Sequence, residues 1–90
     1  MIITWDDRKN EANFKKHGVW FEEAQTVITQ ALTLMAPNEH PDGDRVEYLG
    51  YSNHHKLLYV VTVERSDAEI RIISARKATP NERTKYEEGF

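Results

Sequence analysis

The residues of this sequence that could act on a phosphate are one histidine and several cations. His17 directly follows Lys16, and Lys77 directly follows Arg76. A histidine can accept or donate a proton near neutral pH, because its ordinary pKa lies there. A guanidinium binds phosphate oxygens through two parallel hydrogen bonds. These residue types indicate acid–base chemistry at a phosphoryl group, provided that the fold brings them together.

The same residues also have a structural interpretation. Lys16 and His17 end a predicted helix, where positive charge is stabilised by the helix dipole, and spacing alone favours this interpretation of His17. Arg76 and Lys77 could form ion pairs with Glu64, Glu69 or the acidic C-terminal residues. For Arg76 and Lys77 the ion pair and the phosphate-binding site are about equally favoured. Paired surface cations rarely need an inner strand, so their position does not favour the ion pair.

A strand predicted over residues 69–77 positions most of these cations. Its isoleucines predict burial, and both faces mix apolar with polar residues, as an inner strand would. Strict alternation places Arg71 on one face and Arg76 on the other. The strand leads into Thr79-Pro80-Asn81-Glu82, which predicts a capping box at the start of a C-terminal helix.

A second acidic–basic pair, Glu64-Arg65, ends the preceding strand. In a meander the end of one strand lies beside the start of the next, so Arg65 is expected near Glu69. Arg76 would then lie at the other end of the sheet, unless strand lengths or bulges bring the two arginines together. The sequence leaves both arrangements open.

The remaining segments complete an α+β domain. Apolar periodicity, caps and turn residues predict a strand at 1–5, a helix from Asp6 or Asp7 to His17, and a helix at about 20–30, the two helices forming an αα-hairpin. They further predict strands at 31–36, 45–52 and 56–64, a loop at 37–44 and a turn at 65–68. The expected fold is an antiparallel sheet with the helices mostly on one face and a short C-terminal helix.

Two groups within these elements have a structural interpretation. The polar stripe Lys9, Asn13 and Lys16 of the first helix is interpreted as a solvated face. Trp5, Trp20 and Phe21 are interpreted as core or interface rather than as a platform for stacking bases.

Composition limits the class of protein. The 90 residues predict a single domain, 1–90, and 39% hydrophobic with 30% charged residues fits a soluble globular chain. There is no cysteine, no apolar run of membrane-spanning length and no signal pattern. We therefore expect a cytoplasmic protein that does not associate with a membrane. The net charge of −3 restricts any RNA-binding surface to a local basic cleft.

A metal centre is not expected. His54 and His55 are adjacent and would point apart, and the cluster of His40, Asp42 and Asp44 is interpreted as a chance surface arrangement. We therefore predict no metal and no cofactor.

The chain resembles the BrnT toxins of bacterial type II toxin–antitoxin systems over almost its whole length. The matching segments are Trp5-Asp6 with Lys9-Asn10 and Asn13, Lys16-His17-Gly18-Val19 with Phe21-Glu22-Glu23-Ala24, Glu64-Arg65, Arg71 to Ala78, and Glu82-Arg83 with Tyr86-Glu87. Trp20 departs from the pattern, because a small polar residue is common there, and this weakens the cap of the second helix.

The resemblance implies a RelE-like fold and a metal-independent endoribonuclease of the mRNA interferase type, which arrests growth. A 2′-hydroxyl would attack the adjacent phosphorus. The implied catalytic residues are His17 as acid or base, Glu64 as an alternative base, and Arg65 and Arg76 for the transition state. The implied RNA-binding residues are Lys16, Arg71 and Lys77.

The implied partner is a BrnA-like antitoxin with a ribbon-helix-helix DNA-binding region, expected as a dimer that binds two toxins. The complex would repress its own operon, and the toxin would reach DNA only through the antitoxin. An alternative is a catalytically inactive module that acts only as a corepressor. The combination of Lys16-His17, Glu64-Arg65 and Arg76-Lys77 favours the enzyme, because a pure binding module has no need of it. A small-ligand-binding domain has no support beyond fold class.

Overall fold

A computed structural model of the chain describes residues 2–40, 43–66 and 68–89. The strands are β1 (Ile2–Thr4), β2 (Leu34–His40), β3 (Gly43–Tyr51), β4 (Leu57–Ser66) and β5 (Glu69–Lys77), and the helices are α1 (Asp7–His17), α2 (Phe21–Ile28) and α3 (Pro80–Glu88). The predicted order of elements is therefore confirmed.

The strands form one sheet in the order β1-β5-β4-β3-β2. β2 to β5 are an antiparallel meander, as predicted. β1 differs from the fully antiparallel prediction, because it pairs parallel to β5. This pairing joins residues near the start of the chain to β5, far along the sequence. Parallel strands need a long connection between them, so no local sequence pattern predicts the pairing.

The hydrophobic core lies between α2 and one face of the sheet. Phe21, Ala24 and Val27 of α2 are fully buried against Val60 and Ile72 of the central strands. We call this side of the sheet the covered face, and the opposite side the open face. Trp5 is partly buried against the same core, whereas Trp20 is 41% exposed and stacks on Phe14.

Local signals define the helix ends well. Asp6 caps α1, Gly18 ends it in the left-handed conformation with φ 73°, and Thr79 and Glu82 form the predicted capping box of α3. α2 is shorter than predicted. Its N-cap Trp20 makes no side-chain cap; instead, the Phe21 N–H donates to Oδ1 of Asn10.

The predicted loop at 37–44 is wrong for most of its length, because β2 continues to His40 and β3 begins at Gly43. Pro37 is tolerated within β2 because β2 is an edge strand, where one row of N–H groups needs no partner. The strand predicted from residue 31 begins only at Leu34. Residues 41 and 42 of the predicted loop, and residue 67 of the predicted turn, lie outside the described residues.

The pattern predicted that the polar stripe of α1 is a solvated face. This prediction is wrong for Asn13. Lys9 and Lys16 are exposed, but Asn13 is buried. Its Nδ2 donates to the carbonyls of Ala75 (2.8 Å) and Val19 (2.9 Å), and its Oδ1 accepts from the Ala75 N–H (3.2 Å). β1 ends opposite Arg71, so the amide of Asn13 takes the place of a neighbouring strand at Ala75.

Candidate active site on the open face of the sheet

A bulge in β5 determines which side chains reach the open face. Val61 pairs with Ser74 but Thr62 pairs with Ile72, so Ile73 is the extra residue. One extra residue reverses the alternation beyond it. Arg71 and Arg76 therefore share the open face, and the prediction from strict alternation that they lie on opposite faces is wrong.

The register of the sheet defines the rest of this face. Side chains that pair directly across an antiparallel ladder project from the same side. Arg71 lies across from Val63 and Arg45, Ser74 across from Val61 and Glu47, and Arg76 across from Tyr59 and Leu49. The open face thus carries three arginines and the carboxylate of Glu47, with Glu69 two residues before Arg71 on the same face, where it accepts from the Thr4 hydroxyl. Two of these arginines, Arg71 and Arg76, were predicted as site residues from the sequence.

Arg76 has the most completely defined geometry on this face. Its Nη1 and Nη2 each donate to one carboxylate oxygen of Glu82 at 2.8 Å. Its guanidinium carbon lies 4.3 Å from the centre of the Tyr59 ring, in a cation–π contact. The hydrogen bonds that Arg76 donates to Glu82 raise the pKa of Arg76 and lower the pKa of Glu82. The predicted ion pair with the acidic C-terminal residues is thus present.

Arg71 differs from Arg76 in its hydrogen bonding. Its Nε is buried and has no hydrogen-bond partner within the described part of the chain. Its positive charge helps to lower the pKa of Asp6, after the larger effect of the Lys9 backbone N–H. A buried donor without a partner carries a desolvation cost, which an arriving anion would offset.

Helix α3 closes one end of the open face and forms a groove of about 430 Å³ with the sheet. The groove is lined by Glu47 and Tyr59 of the sheet and by Glu82 and Lys85 of α3, with apolar residues of β2 and β3. Glu47 also raises the pKa of Arg76 through its charge, so this carboxylate lies within electrostatic range of the guanidinium. The groove brings carboxylate, phenol and ammonium groups together, and the guanidinium of Arg76 contacts two of its lining residues, Tyr59 and Glu82.

The predicted pair Glu64-Arg65 lies away from this groove. Glu64 pairs with Ile70, whereas Tyr59 pairs with Arg76. Five residues of β4 separate these positions, or about 17 Å at the usual rise of a strand. A second register shift occurs at residue 65, between Glu64 and Ser66, but it does not bring Arg65 to Arg76. Arg65 and Arg76 therefore lie toward opposite ends of the β4–β5 pair.

His17 and Lys16 lie toward the same end of β5 as Arg76. Asn13 is bonded to Ala75, and the half-buried His17 follows one helical turn later. Lys77 alternates with Arg76 and pairs with Leu58 of the core, so it projects on the covered side. The structure thus divides the predicted set between the two sides and the two ends of the sheet.

Sequence reasoning missed Glu47, Tyr59 and Glu82 as site residues. Glu82 carried a signal, because it completes the capping box six residues after Arg76. Glu47 and Tyr59 carried none, because their position beside Arg76 follows only from strand register.

A second groove, of about 380 Å³, lies on the helical side between Trp20, Glu22, Glu23, Asn53 and His54. Its two carboxylates are already engaged, Glu22 by Asn10 and Glu23 by Ser52. The Nδ1 of His54 lies 3.8 Å from Glu23, but the described residues that line this groove include no lysine or arginine to offset the two carboxylates. This groove is therefore the poorer candidate for a phosphate. Asp42 and the side chain of His40, considered above as metal ligands, lie outside the described residues.

The sequence matches a family model described as the ribonuclease toxin BrnT of type II toxin–antitoxin systems, over residues 5–82. The chain belongs to the BrnT family. The resemblance stated from its motifs is thereby confirmed, and the chain is a ribonuclease toxin whose class of system includes a protein antitoxin.

The fold of this BrnT chain is also that of a solved relative. The 1.1 Å crystal structure of the Brucella abortus ribonuclease toxin BrnT matches with a TM-score of 0.70. The two sequences are 23% identical, and the match covers 88% of this chain and 97% of that chain. At this identity the likeness establishes the fold alone. No curated protein matches the sequence.

None of the helices in the described residues of this BrnT chain has the length and apolarity required to cross a bilayer.

Proposed function

We propose that this toxin cleaves RNA on the open face of its sheet, without a metal, by attack of a 2′-hydroxyl on the adjacent phosphorus. The observation that carries the proposal is the bulge at Ile73, which puts Arg71 and Arg76 on one face with Glu47 and Tyr59. A cleft with cations on both sides of a carboxylate suits a reaction in which a proton leaves while negative charge builds on a phosphoryl group.

Each group has a distinct role in this proposal. The carboxylate of Glu47 removes the proton of the 2′-hydroxyl as the 2′-oxygen bonds to phosphorus and the bond to the 5′-oxygen breaks. Arg76 stabilises the charge on the phosphoryl oxygens, and Arg71 binds the backbone with its unpaired Nε. The products are a 2′,3′-cyclic phosphate and a free 5′-hydroxyl.

The acid that protonates the leaving 5′-oxygen is either His17 or Tyr59. Histidine is a residue type that can donate a proton near neutral pH, whereas Tyr59 already lies on the open face beside Arg76. Tyr59→Phe and His17→Ala distinguish them, because loss of the acid slows cleavage of RNA with an ordinary 5′-oxygen leaving group much more than cleavage of RNA with a 5′-bridging sulfur, which leaves without being protonated.

The remaining predicted residues have supporting roles. Lys16 lies toward the Arg76 end and extends the path of the RNA backbone. Lys77 projects on the covered side, so it contacts RNA that passes around the end of β5. Glu64 and Arg65 lie about 17 Å from Arg76 by strand rise, so they contact RNA away from the cleaved bond. This arrangement makes Glu47, rather than Glu64, the preferred base.

The protein partner proposed for this toxin is a BrnA-like antitoxin with a ribbon-helix-helix region, as a dimer that binds two toxins. The pair would act in the cytoplasm and repress its own operon, with DNA contacted only by the antitoxin. The family membership supports an antitoxin, and its type follows from the motif resemblance.

The decisive experiment is inducible expression of the chain alone in bacteria, beside an Arg76→Ala variant. We expect growth arrest with loss of cellular RNA from the wild-type chain, and relief in a soluble, folded variant. The purified chain should cleave RNA with excess EDTA present. A well-expressed, folded wild-type chain that neither arrests growth nor cleaves RNA would instead support the alternative of an inactive corepressor.

A further inference from the structure

The guanidinium of Arg76 is fixed at one end and left available along one edge. Glu82 accepts from both Nη atoms at 2.8 Å. Nη1 also donates to the carbonyl of Lys77 at 3.2 Å, and the Tyr59 ring supports the plane from one side at 4.3 Å. These contacts restrict both the position and the rotation of the group.

An arginine has five N–H donors in a fixed planar fork. Three of the donors of Arg76 are used, two by Glu82 and one by Lys77. Within the described part of the chain, no hydrogen bond uses its Nε or the second hydrogen of Nη2. These two donors lie along the same edge of the guanidinium, and such an edge binds two phosphate oxygens at once.

The carboxylate of Glu82 is itself held in place. Oε1 also accepts from the Thr79 N–H at 2.9 Å, while the Thr79 hydroxyl accepts from the Glu82 N–H at 3.2 Å. The far part of α3 is anchored by Tyr86, whose hydroxyl donates to the Leu32 carbonyl at 2.6 Å. The side chain that orients Arg76 is therefore built into the first turn of an anchored helix.

We infer that Glu82 is a positioning residue, which presents the Nε–Nη2 edge of Arg76 to the phosphate that is cleaved. The inference rests on the function proposed above, in which Arg76 stabilises the transition state. The opposite possibility is that Glu82 blocks Arg76 until RNA displaces it. The geometry favours positioning, because Glu82 occupies the end of the guanidinium and leaves a complete bidentate edge free.

Glu82→Gln is the sharpest variant, because glutamine at the same position also completes a capping box. The variant keeps the start of α3 and removes the charge that holds Arg76. We expect kcat for an RNA oligonucleotide to fall about tenfold or more, since small displacements of a catalytic group are costly. KM should change less than twofold, because Arg71 and the lysines still bind the backbone.

The matched control is Glu87→Gln, which makes the same change at an exposed position of α3 and should leave kcat unchanged. Glu82→Asp retains the charge on a shorter side chain and should recover part of the loss. Thermal unfolding of every variant separates a loss of fold from a loss of orientation, and the Asp variant keeps the test available if Glu82→Gln unfolds.

A double-mutant cycle with Arg76→Ala completes the test. If Glu82 acts through Arg76, adding Glu82→Gln to Arg76→Ala causes no further loss of kcat. An unchanged or raised kcat in the single Glu82→Gln variant overturns positioning and supports blocking, while the proposed function stands. Full activity of Arg76→Ala alone contradicts the proposed site, and the role of Glu82 with it.

Discussion

The two faces of the sheet differ in the hydrogen bonding of their polar side chains. On the covered face the buried Thr62 donates to the Val46 carbonyl at 3.0 Å, and the buried Asn13 of α1, at the edge of β5, is also hydrogen-bonded to backbone groups. On the open face the Nε of Arg71 is buried without a partner, and Arg76 keeps one edge unused. The covered face thus pairs its buried polar groups, whereas the open face leaves donors unpaired among the described residues.

Strand β5 contributes side chains to both faces. Its bulge at Ile73 places the core residues on one face and the arginines on the other. Ile72 and Ala75 are fully buried on the covered side, while Arg71, Ser74 and Arg76 project on the other. Without the extra residue at 73, either the core residues or the arginines would be divided between faces. Substitutions on the covered face should therefore act on stability, and those on the open face on activity.

The largest effect is expected at the junction of α1 with β5, from Asn13→Ala. The change leaves the N–H and carbonyl of Ala75 and the carbonyl of Val19 without their partner. We expect a loss of about 3 kcal/mol in the free energy of unfolding, measured by urea denaturation. Lys9→Ala, at an exposed position of the same helix, should change it by less than about 0.5 kcal/mol. A similar small change for Asn13→Ala would show that water replaces the amide.

Next in size is Glu47→Gln on the open face. Loss of the proposed base should lower kcat for RNA cleavage by about 100-fold, equivalent to about 2.7 kcal/mol, with little change in the denaturation midpoint. Glu11→Gln on α1 is the matched control, at an exposed position. If Glu47→Gln retains full kcat while Glu64→Gln loses it, the base lies at the other end of the sheet.

How much the sequence could predict depends on the range of each interaction. The limits of α1, the strand at 69–77 and the capping box at Thr79 come from neighbouring residues, and all are confirmed. The parallel pairing of β1 with β5 joins residues about 70 apart in the chain, so no local pattern contains it. The burial of Asn13 was missed for the same reason, since its partner is Ala75.

The candidate site shows the same limit more sharply. The arginines could be selected by residue type, but the face that they occupy depends on one unpaired residue, Ile73. Nothing in an isoleucine-rich strand distinguishes a bulged residue from a paired one. The register of β3, β4 and β5 places Glu47 and Tyr59 on the same face as the arginines, and this register cannot be predicted from the residues themselves.

A smaller effect is expected from Arg71→Ala, and it tests the contrast between the faces directly. Removal of a buried donor that has no partner should leave the free energy of unfolding unchanged or slightly raised. Loss of a backbone contact should raise KM for RNA about tenfold and reduce its dependence on salt. Arg8→Ala, at an exposed position of α1, should change neither quantity. A clear loss of stability in Arg71→Ala would mean that this arginine is structural.

The smallest effect concerns the pH dependence of the Arg76–Glu82 ion pair. Hydrogen bonds from Arg76 lower the pKa of Glu82 from its ordinary value of 4.5. A lowered folded-state pKa means that the pair stabilises the fold fully above about pH 4.5, and that this stabilisation is lost as the pH falls through the folded value. Since both side chains are partly exposed, screening limits the contribution to about 1 kcal/mol or less.

The measurement that checks this is the melting temperature of the wild-type chain and of Glu82→Gln at a series of pH values. We expect the wild-type chain to melt a few degrees higher near neutral pH, and the difference to shrink below about pH 4.5. The pKa of Asp6 is lowered too, chiefly by the Lys9 N–H, but it contributes equally to both proteins and cancels. Because glutamine shares the helix cap, a difference that stays constant down to low pH would show that Glu82 contributes to stability through packing rather than through its charge. The ion pair on the open face would then orient Arg76 without stabilising the fold.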